Sequence, residues 1–427
     1  MGRSMNVKWW SFGLGAVAGL LVAALVAAVL RPWEPDAVEL EKGPLIIISG
    51  KDQSNGGQRQ ELVNQWNKTH PDNPARVDEL PLGADDQYSE MVARAQGSAP
   101  TPDIYNLDAA WTAEFADREY IAELDKSAVD TSGFMQNPLL TCWYEGKLWA
   151  LPFNTDAGLL YYRHPGVKAP STWKDIVDET RRLMSGPHDS NLVAGYTAQL
   201  ADYEGLAVNA FEAIWDEGGE VVDEDGNVVI DSQKARAGLS RLADGLRPGA
   251  NPRVIMQEAR SQDETSSMNA FAEGKVAFMR NWPVAYRNLD SRTSDDANQA
   301  AFFKVVLLPG PSVLGGQNLA VSSKSERPKA ARALIEFLTS PRSQQILFER
   351  GGFAATRDIV YEDAEVRRQR PYAGVLRDAI NKAKTRPVSR CYVRFAEIFR
   401  AVVNETLSDD GKLPSNATER LTTALKC

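Results

Sequence analysis

The sequence predicts an α/β protein of more than one domain, with a helical carboxyl-terminal part and an apolar helix at its amino terminus. The chain has 427 residues, which is too long for one hydrophobic core and corresponds to two or three domains. Short apolar runs typical of buried strands alternate with amphipathic segments as far as Ser322. The residues after Pro371 have helical patterns almost throughout.

The amino terminus contains an uncharged apolar segment from Ser11 to Leu30. A helix of these 20 residues, rising about 1.5 Å per residue, would cross a hydrocarbon layer of roughly 30 Å. Arg3 and Lys8 precede the segment and should stay in the cytoplasm. We therefore expect the rest of the chain to lie outside the cytoplasm.

Two fates of this segment are consistent with the sequence. We expect residues 1–31 to form an uncleaved signal anchor that tethers the protein to the cell membrane, followed by a linker over residues 32–43. The alternative is a cleaved signal peptide, because Val26-Ala27-Ala28 offers the small residues that signal peptidase requires. In that case the protein would be secreted.

The rest of the chain divides into segments with the lengths and patterns of strands and helices. The expected strands are Leu45–Ser49, Asp103–Asp108, Leu148–Phe153, Leu159–Tyr162, Leu192–Gln199, Val276–Trp282, Phe303–Leu308 and Leu319–Ser322, with a hairpin over Val221–Ile230. The expected helices include Asp86–Ala95, Thr172–Met184, Tyr203–Glu217, Ser232–Leu246, Ser266–Ala272, Pro328–Leu338, Ser343–Arg350, Tyr372–Lys384, Tyr392–Leu407 and Ala417–Leu425.

The stretch from Leu148 to Arg163 has the pattern of two strands separated by Asn154, Thr155 and Asp156. These small polar residues favour turns over sheet interiors, so we expect them to interrupt the strand. Open α/β sheets bind ligands at the carboxyl ends of their strands, which makes this break a predicted hinge and binding edge. The alternative is an ordinary polar loop between two buried strands.

Charge and composition exclude several classes of function. The formal charge of −9 and the pI near 5.2 disfavour nucleic acid and anionic membrane surfaces as partners. The chain has three histidines, and they do not form a metal-ligand pattern. The Gly56-Gly57 pair lacks the lysine and serine of a phosphate-binding loop, and the chain has no Gly-x-Ser-x-Gly elbow. We expect neither a cofactor nor a metal.

Polar and aromatic side chains recur at predicted strand ends and in late turns. Carboxylates and amides bind sugar hydroxyls, and aromatic rings stack on the apolar faces of sugars, so this combination suits a carbohydrate. The residues concerned are Asp108, Asn154, Asp156, Trp111, Tyr161, Trp282, Tyr286 and Arg386. A glycosidase would use the same residue types, as two carboxyl groups about 5 to 10 Å apart. Taken singly, Trp282 could equally be a core residue and Asp108 a helix cap.

An exported chain makes its cysteines candidates for a disulfide. Cys142 and Cys391 lie in distant parts of the chain, and a bond between them would connect the hinge stretch to the last helices. Cys427 is terminal and is the weaker partner because chain ends fray. Three free thiols remain the alternative.

Six segments, taken in order, carry a resemblance to a known family. They are PDIYNLDAAWTAEFA (Pro102–Ala116), YEGKLWALPFNTDAGLLYYR (Tyr144–Arg163), STW (Ser171–Trp173), AFAEGKVAFMRNWPVAY (Ala270–Tyr286), LPGPSVLGGQNLAVSSKSERPKAARALIEFLTS (Leu308–Ser340) and RPVSRCY (Arg386–Tyr392). This succession resembles the extracellular solute-binding proteins of family 1, which serve sugar-importing ABC transporters. The trehalose and maltose-type branch is the most similar. The segments span the chain from about Leu45 to its end.

The resemblance implies a two-lobed periplasmic binding protein of type II, a Venus flytrap that binds a di- or oligosaccharide between its lobes. It implies one lobe at 44–154 and 319–364 and the other at 155–318 and 365–427. The ligand-binding residues that it implies are Asp52, Gln53, Asp108, Asn154, Asp156, Glu204, Trp282, Gly315, Gly316 and Arg386. The implied partners are the sugar and the permease subunits, and the protein would act as a monomer without catalysis.

The chain departs from the family pattern in two places. Gln317 stands where sugar binders of this branch often have an aromatic residue, which removes a second stacking surface. The lipid-anchored relatives have a cysteine near the amino terminus, and here that cysteine is absent, so the apolar helix is the expected tether. Two rival functions remain. One is an exported glycoside hydrolase that uses two of Asp108, Asp156 and Glu204, and the other is a ligand-sensing domain for a membrane receptor.

Overall fold

A computed structural model describes residues 39–54, 56–80, 83–97, 100–186, 191–293 and 302–427. Glu41 to Cys427 forms one compact unit. The predicted apolar helix over Ser11–Leu30, with its alternative cleavage site, lies outside the described residues. Among the helices that the structure does describe, none has the length and apolar character needed to span a bilayer.

The described chain alternates strands and helices as far as Val321 and is helical from there to its end. The strands are β1 (Leu45–Gly50), β2 (Ala75–Leu80), β3 (Ile104–Asp108), β4 (Trp143–Tyr144), β5 (Lys147–Leu148), β6 (Leu151–Ala157), β7 (Leu159–Arg163), β8 (Ala194–Thr197), β9 (Val276–Asn281), β10 (Phe303–Leu307) and β11 (Leu314–Val321). The first nine helices are α1 (Gln58–Thr69), α2 (Ala84–Gln96), α3 (Thr112–Asp117), α4 (Gln136–Leu140), α5 (Trp173–Ser185), α6 (Glu204–Asp216), α7 (Gln233–Leu246), α8 (Glu264–Ala272) and α9 (Val284–Thr293). The later helices are α10 (Pro328–Leu338), α11 (Pro341–Ile346), α12 (Asp358–Glu362), α13 (Ala364–Gln369), α14 (Ala373–Lys382), α15 (Tyr392–Ser408) and α16 (Ala417–Ala424).

Two sheets organise these elements. The first has five strands in the order β2-β1-β3-β11-β6, and the second has four in the order β10-β7-β9-β8. In the first sheet β1 runs parallel to β2 and β3, whereas β11 runs antiparallel to both of its neighbours. Parallel strands need helical crossovers, and α1 and α2 supply them. The carboxyl ends of β1 and β3 therefore lie at the same edge of the first sheet.

Strands β6 and β11 connect the two sheets. The chain leaves β6 at Ala157, passes through Gly158 and enters β7 of the second sheet at once. It returns from β10 of the second sheet to β11 of the first. The predicted boundaries at 154/155 and 318/319 fall within β6 and β11, which pair with each other. The lobe boundaries themselves stay predictions.

The prediction that Asn154, Thr155 and Asp156 interrupt the strand is wrong. All three continue β6, where they pair with Gly315, Gly316 and Gln317 of β11. Thr155 also bridges to Ala354 on the other side. Pairing with β11, and with Ala354 on the other side of Thr155, supplies backbone partners to this polar triplet, so tertiary pairing overrides its local preference for a turn.

The predicted disulfide between Cys142 and Cys391 is also wrong. Cys391 is bonded to Cys427, with their Cα atoms 5.6 Å apart. The last helix α16 packs against α15, and this packing brings the chain end back to the start of α15. Cys142 is a free thiol that is completely buried, and burial raises its pKa well above the usual value.

Candidate functional site

A cavity of about 440 Å³ lies where the first sheet and the elements of the second sheet meet, and we call it the central cavity. Its volume falls within the roughly 300–1,000 Å³ typical of small-molecule sites. Nine of the ten predicted ligand-binding residues line it: Gln53, Asp108, Asn154, Asp156, Glu204, Trp282, Gly315, Gly316 and Arg386. The tenth, Asp52, instead accepts a hydrogen bond from the backbone N–H of Ser54 at 2.9 Å, in the turn before α1. The sequence-derived set therefore converges on one cavity.

Asp108 stands at the end of β3 and makes two contacts with one oxygen. Its Oδ1 accepts from the backbone N–H of Ala110 at 2.8 Å, which caps the short helical turn Ala109–Trp111. The same oxygen accepts from Nη2 of Arg386 at 2.6 Å. Asp108 is thus a cap and a cavity residue at once, so the two interpretations of this residue are compatible.

Arg386 joins carboxylates that belong to opposite sides of the central cavity. Its Nη1 donates to Glu204 at the start of α6 at 2.8 Å, while Nη2 donates to Asp108. The hydroxyl of Tyr392 also donates to Glu204. Arg386 is 5% exposed, and its Nε has no hydrogen-bond partner among the described residues. Burial raises the pKa of the Glu204 carboxyl, although Arg386 opposes this change.

A close approach of two strands explains the glycine pair on β11. Gly316 has a φ of +105°, and a Cβ atom there would lie 2.4 Å from the carbonyl oxygen of Asn154. A side chain would therefore force the two strands apart. A Cβ atom on Gly315 would lie 3.3 Å from both Asp156 and the Trp282 ring. These glycines bring β11 against the polar face of β6 and keep the cavity open beside Trp282.

Asp156 lines the cavity in an unusual electrostatic state. Burial raises the pKa of its carboxyl to about 7. The Arg280 guanidinium lowers this pKa, and the neighbouring carboxylates of Asp108 and Glu264 raise it further. Near neutral pH, Asp156 is therefore divided between a carboxylate and a protonated acid that donates a hydrogen bond.

Trp282 presents its half-buried ring to the central cavity from the end of β9. Its Nε1 donates to Glu264 at 3.2 Å, and the guanidinium carbon of Arg280 lies 3.7 Å from the ring centroid. Arg280 is itself held by Glu212 through two hydrogen bonds, at 2.7 and 2.9 Å. The ring is thus fixed in position, as a stacking surface for a ligand requires.

The other aromatic residues proposed from the sequence divide into two groups. Trp111 lines the central cavity, on the side of the first sheet. Tyr161 and Tyr286 belong to the hydrophobic core of the second sheet. The Tyr161 hydroxyl donates to the carbonyl oxygen of Trp282 at 2.8 Å, and Tyr286 stacks on Tyr372 at 3.9 Å. Tyr161 therefore supports Trp282 from behind.

Several cavity residues have no distinctive sequence signal. They are Lys51, Arg59, Gln87, Tyr203, Gly205, Val208, Asp263, Glu264, Val284 and Phe353. Glu264 illustrates the difficulty, because it is the first residue of α8 after the capping residue Asp263. An acidic residue in the first turn is a normal helix feature, so sequence gives no sign that Glu264 also faces a cavity.

Residues 50–345 match the family model described as bacterial extracellular solute-binding protein, and the chain belongs to that family. The predicted family and the two-lobed α/β fold are confirmed. The family and the similar structures are binding proteins rather than enzymes.

Two relatives extend the comparison. A probable ABC transporter-binding protein of Deinococcus radiodurans is 28% identical over 92% of this chain and 93% of its own length. An arabinooligosaccharide-binding protein of Halalkalibacterium halodurans is 20% identical over 71% of this chain and 69% of its own length.

Solved structures show the same architecture. Maltose-bound MalE3 of T. maritima is 26% identical, with a TM-score of 0.78, over 90% of this chain and 99% of that one. The GacH receptor of Streptomyces glaucescens, solved without ligand and with acarbose, is 23% identical, with a TM-score of 0.77 over 90% of this chain and 99% of that one. At this identity the GacH comparison shows the fold alone.

Proposed function

We propose that the protein is the extracytoplasmic substrate-binding component of an ABC importer and that it binds a di- or oligosaccharide in the central cavity. The observation that carries the proposal is the convergence of Asp108, Asn154, Asp156 and Trp282, from the ends of β3 and β9 and from β6, on one cavity of about 440 Å³. Carboxylates and an amide suit sugar hydroxyls, and the fixed indole suits the apolar face of a pyranose ring. The sugar ligands of similar proteins, maltose and arabinooligosaccharide among them, support the same class.

The geometry also supports binding without catalysis. A glycosidase needs two carboxyl groups free to act on the scissile bond, one as acid and the other as base or nucleophile. Asp108 and Glu204 are instead both bound to Arg386, at 2.6 and 2.8 Å. Of the three carboxyl groups proposed for hydrolysis, this leaves Asp156 without an ion-pair partner among the described residues. Asp156 alone therefore does not supply the pair that hydrolysis by two of Asp108, Asp156 and Glu204 requires.

We further propose that the two sheets belong to lobes that close over the sugar by bending within β6 and β11. The lobes correspond to 44–154 with 319–364 and to 155–318 with 365–427. The closed form would be presented to the permease subunits of the importer, and the protein would act as a monomer. The apolar segment over Ser11–Leu30 would tether it to the membrane, or would be removed on secretion.

Isothermal titration calorimetry of the chain from Pro44 onward against a panel of di- and oligosaccharides tests this function. We expect saturable binding of at least one disaccharide, and weaker binding of that sugar by Asp156→Asn. Binding of peptides or polyamines, together with no measurable binding of any sugar, would contradict the proposed ligand class. If the protein hydrolyses chromogenic glycosides and Asp156→Asn abolishes this activity, the protein is a glycoside hydrolase rather than a binding protein.

A further inference from the structure

The part of the central cavity next to Trp282 has an excess of negative charge. Asp156 on β6 and Glu264 at the start of α8 both line it. Neither carboxylate forms an ion pair with a residue that the structure describes. Glu264 accepts a hydrogen bond from the neutral indole of Trp282 at 3.2 Å, which supplies no positive charge. This end of the cavity therefore holds two acidic groups without a cation of their own.

The nearby arginines are already paired with other carboxylates. Arg386 is paired with Asp108 and Glu204, and Arg280, behind the Trp282 ring, is paired with Glu212 at 2.7 Å. Arg59 pairs with Glu79 at 2.9 Å on the side of the first sheet. Lys51, on that same side, is exposed to solvent. Arg280 therefore acts on Asp156 and Glu264 without pairing with them, and both carboxyl groups lack a direct cationic partner among the described residues.

Charged and titratable groups face Asp156 from four elements. Arg280 of β9 lowers the pKa of the Asp156 carboxyl, whereas Asp108 of β3 and Glu264 of α8 raise it. Tyr361 of α12 also interacts with this carboxyl. Burial has the largest effect and raises the pKa of Asp156 to about 7. Near neutral pH the Asp156 carboxyl is therefore partly protonated when no cation is bound beside it.

Two further features of the cavity indicate a ligand that carries both a cation and hydroxyl groups. The Trp282 ring lines the cavity, and the face of an indole attracts an ammonium group within about 6 Å. Arg386 is 5% exposed, and its Nε–H lacks an acceptor among the described residues, which a sugar hydroxyl or ring oxygen would supply. Negative charge, an aromatic face and an unused donor thus occur in one cavity.

We propose that the ligand is a saccharide bearing a protonated amine, and that its ammonium group lies between the Asp156 and Glu264 carboxylates beside the Trp282 ring. This inference rests on the proposed function and narrows its substrate class from sugars to amino sugars. The ammonium forms charge-assisted hydrogen bonds with both carboxylates, and the remaining hydroxyl groups bind Asn154 and Arg386.

Calorimetry with matched pairs of ligands tests the proposal. Maltose, trehalose and cellobiose are each compared with a counterpart in which one 2-hydroxyl is replaced by an ammonium group. We expect at least one amine to bind about tenfold tighter than its neutral counterpart, as charge-assisted hydrogen bonds predict. Asp156→Asn and Glu264→Gln should each remove this advantage. Glu397→Gln, at an exposed position on α15 outside the cavity, is the matched control and should keep it.

The pH dependence gives a second readout. Because an ammonium binds the ionised form of Asp156, the affinity for the amine should rise as pH increases from about 5 to about 7, and binding should release a proton. The heat of binding should then depend on the ionisation enthalpy of the buffer. For the neutral disaccharide we expect neither effect.

The outcomes are distinguishable. If a neutral disaccharide binds and its amine binds equally or more weakly, the amino-sugar inference is wrong and the sugar-binding function stands. The amino-sugar inference is equally wrong if Asp156→Asn and Glu264→Gln fold, as judged by circular dichroism, and keep the full preference for the amine. If no disaccharide binds with or without an amine, the proposed function fails and this inference fails with it.

Discussion

Arg386 donates a hydrogen bond of 2.6 Å to Asp108, although the two residues lie 278 positions apart in the sequence. Asp108 ends a strand of the first sheet, whereas Arg386 precedes α15, which packs against α6 and α7. The pair therefore joins two parts of the chain across the central cavity. Because Arg386 also binds Glu204, one guanidinium holds two carboxylates.

Replacing Arg386 should destabilise the protein even without ligand. Arg386→Ala leaves Asp108 and Glu204 without their common cation, and removal of one partner of a buried ion pair costs about 3 kcal/mol. Arg386→Lys should recover only part of this loss, because an ammonium lacks the planar fork that reaches two carboxylates. Urea unfolding measures both effects. A lysine variant as stable as the wild type would show that charge alone accounts for the contact.

Trp282→Ala should weaken sugar binding by on the order of 2 kcal/mol, the loss expected for an aromatic residue at the centre of a binding site. Trp282→Phe retains an apolar ring and should lose less. Calorimetry with the best disaccharide gives the comparison. Trp149→Ala, whose ring lies outside the cavity, is the control and should bind normally. Normal binding by a folded Trp282→Ala protein would show that the ring does not stack on the sugar.

A second ion pair joins α15 to α2 beside the cavity. Arg400 donates to the two oxygens of Asp85 at 2.9 and 3.3 Å, and Asp85 follows the cavity residue Ala84. We expect Arg400→Ala and Asp85→Asn each to speed ligand release about two- to fivefold, since Asp85 is exposed and an ion pair with an exposed carboxylate contributes roughly 0.5–1 kcal/mol. Stopped-flow dissociation measures the rates.

A double-mutant cycle separates this pair from unrelated effects of each substitution. The double variant should release ligand no faster than the single variants, and added salt should reduce the difference from the wild type. Fully additive effects would mean that Arg400 and Asp85 do not act together.

Asp156 should make ligand-free stability depend on pH. The pKa of its carboxyl is raised to about 7 in the folded protein, whereas an aspartate in the unfolded chain has a pKa of about 4. Between these two pH values the folded state binds more protons than the unfolded state. Stability should therefore fall as pH rises from about 4 to about 7. The Asp156→Asn side chain cannot ionise, so this variant should lack this part of the decline. At pH 8 its free energy of unfolding should exceed that of the wild type by on the order of 1 kcal/mol or more. Thermal melts across pH measure the difference, and parallel curves for variant and wild type would contradict it.

The disulfide between Cys391 and Cys427 closes a loop of 36 residues. A loop of this length corresponds to about 4 kcal/mol of stabilisation in the chain-entropy treatment. Cys427→Ser should lower the free energy of unfolding by up to this amount. The control is wild-type protein treated with reductant, which should lose a similar amount. Thiol titration of the unfolded, oxidised protein should find one free thiol, Cys142, and a count of three would contradict the bond.

Sequence predicted well those features that depend on local patterns. The apolar runs that became β1, β3, β7 and β9 are buried strands, and buried strands carry a strong composition signal. Strand β2 has the sequence ARVDEL and lies at the edge of the first sheet with its middle residues partly or fully exposed. An edge strand of this kind has no apolar run, so its pattern gave no prediction.

Features that depend on tertiary contacts were harder to predict. Asn154–Asp156 resemble a turn until β11 pairs with them, and this pairing requires Gly316, 161 positions beyond Thr155. Cys427 has the pattern of a free chain end until α16 packs on α15. Glu264 has the signal of a helix start alone. For the site, strand-end positions located Asp108, Asn154, Asp156 and Trp282, whereas the family resemblance supplied Gln53, Glu204, Gly315 and Gly316. The role of all these residues in binding stays a prediction.

The position of Trp282 gives the protein an intrinsic optical reporter. Its indole is fixed between Arg280 and the central cavity, so a sugar that displaces water from the ring should change its fluorescence emission. Nine other tryptophans contribute background, because the chain has ten in all. The difference between the spectra of the wild type and Trp282→Phe isolates the contribution of Trp282 from that of the others, including Trp111, which also lines the cavity. Occupancy should therefore be readable in real time without an attached dye.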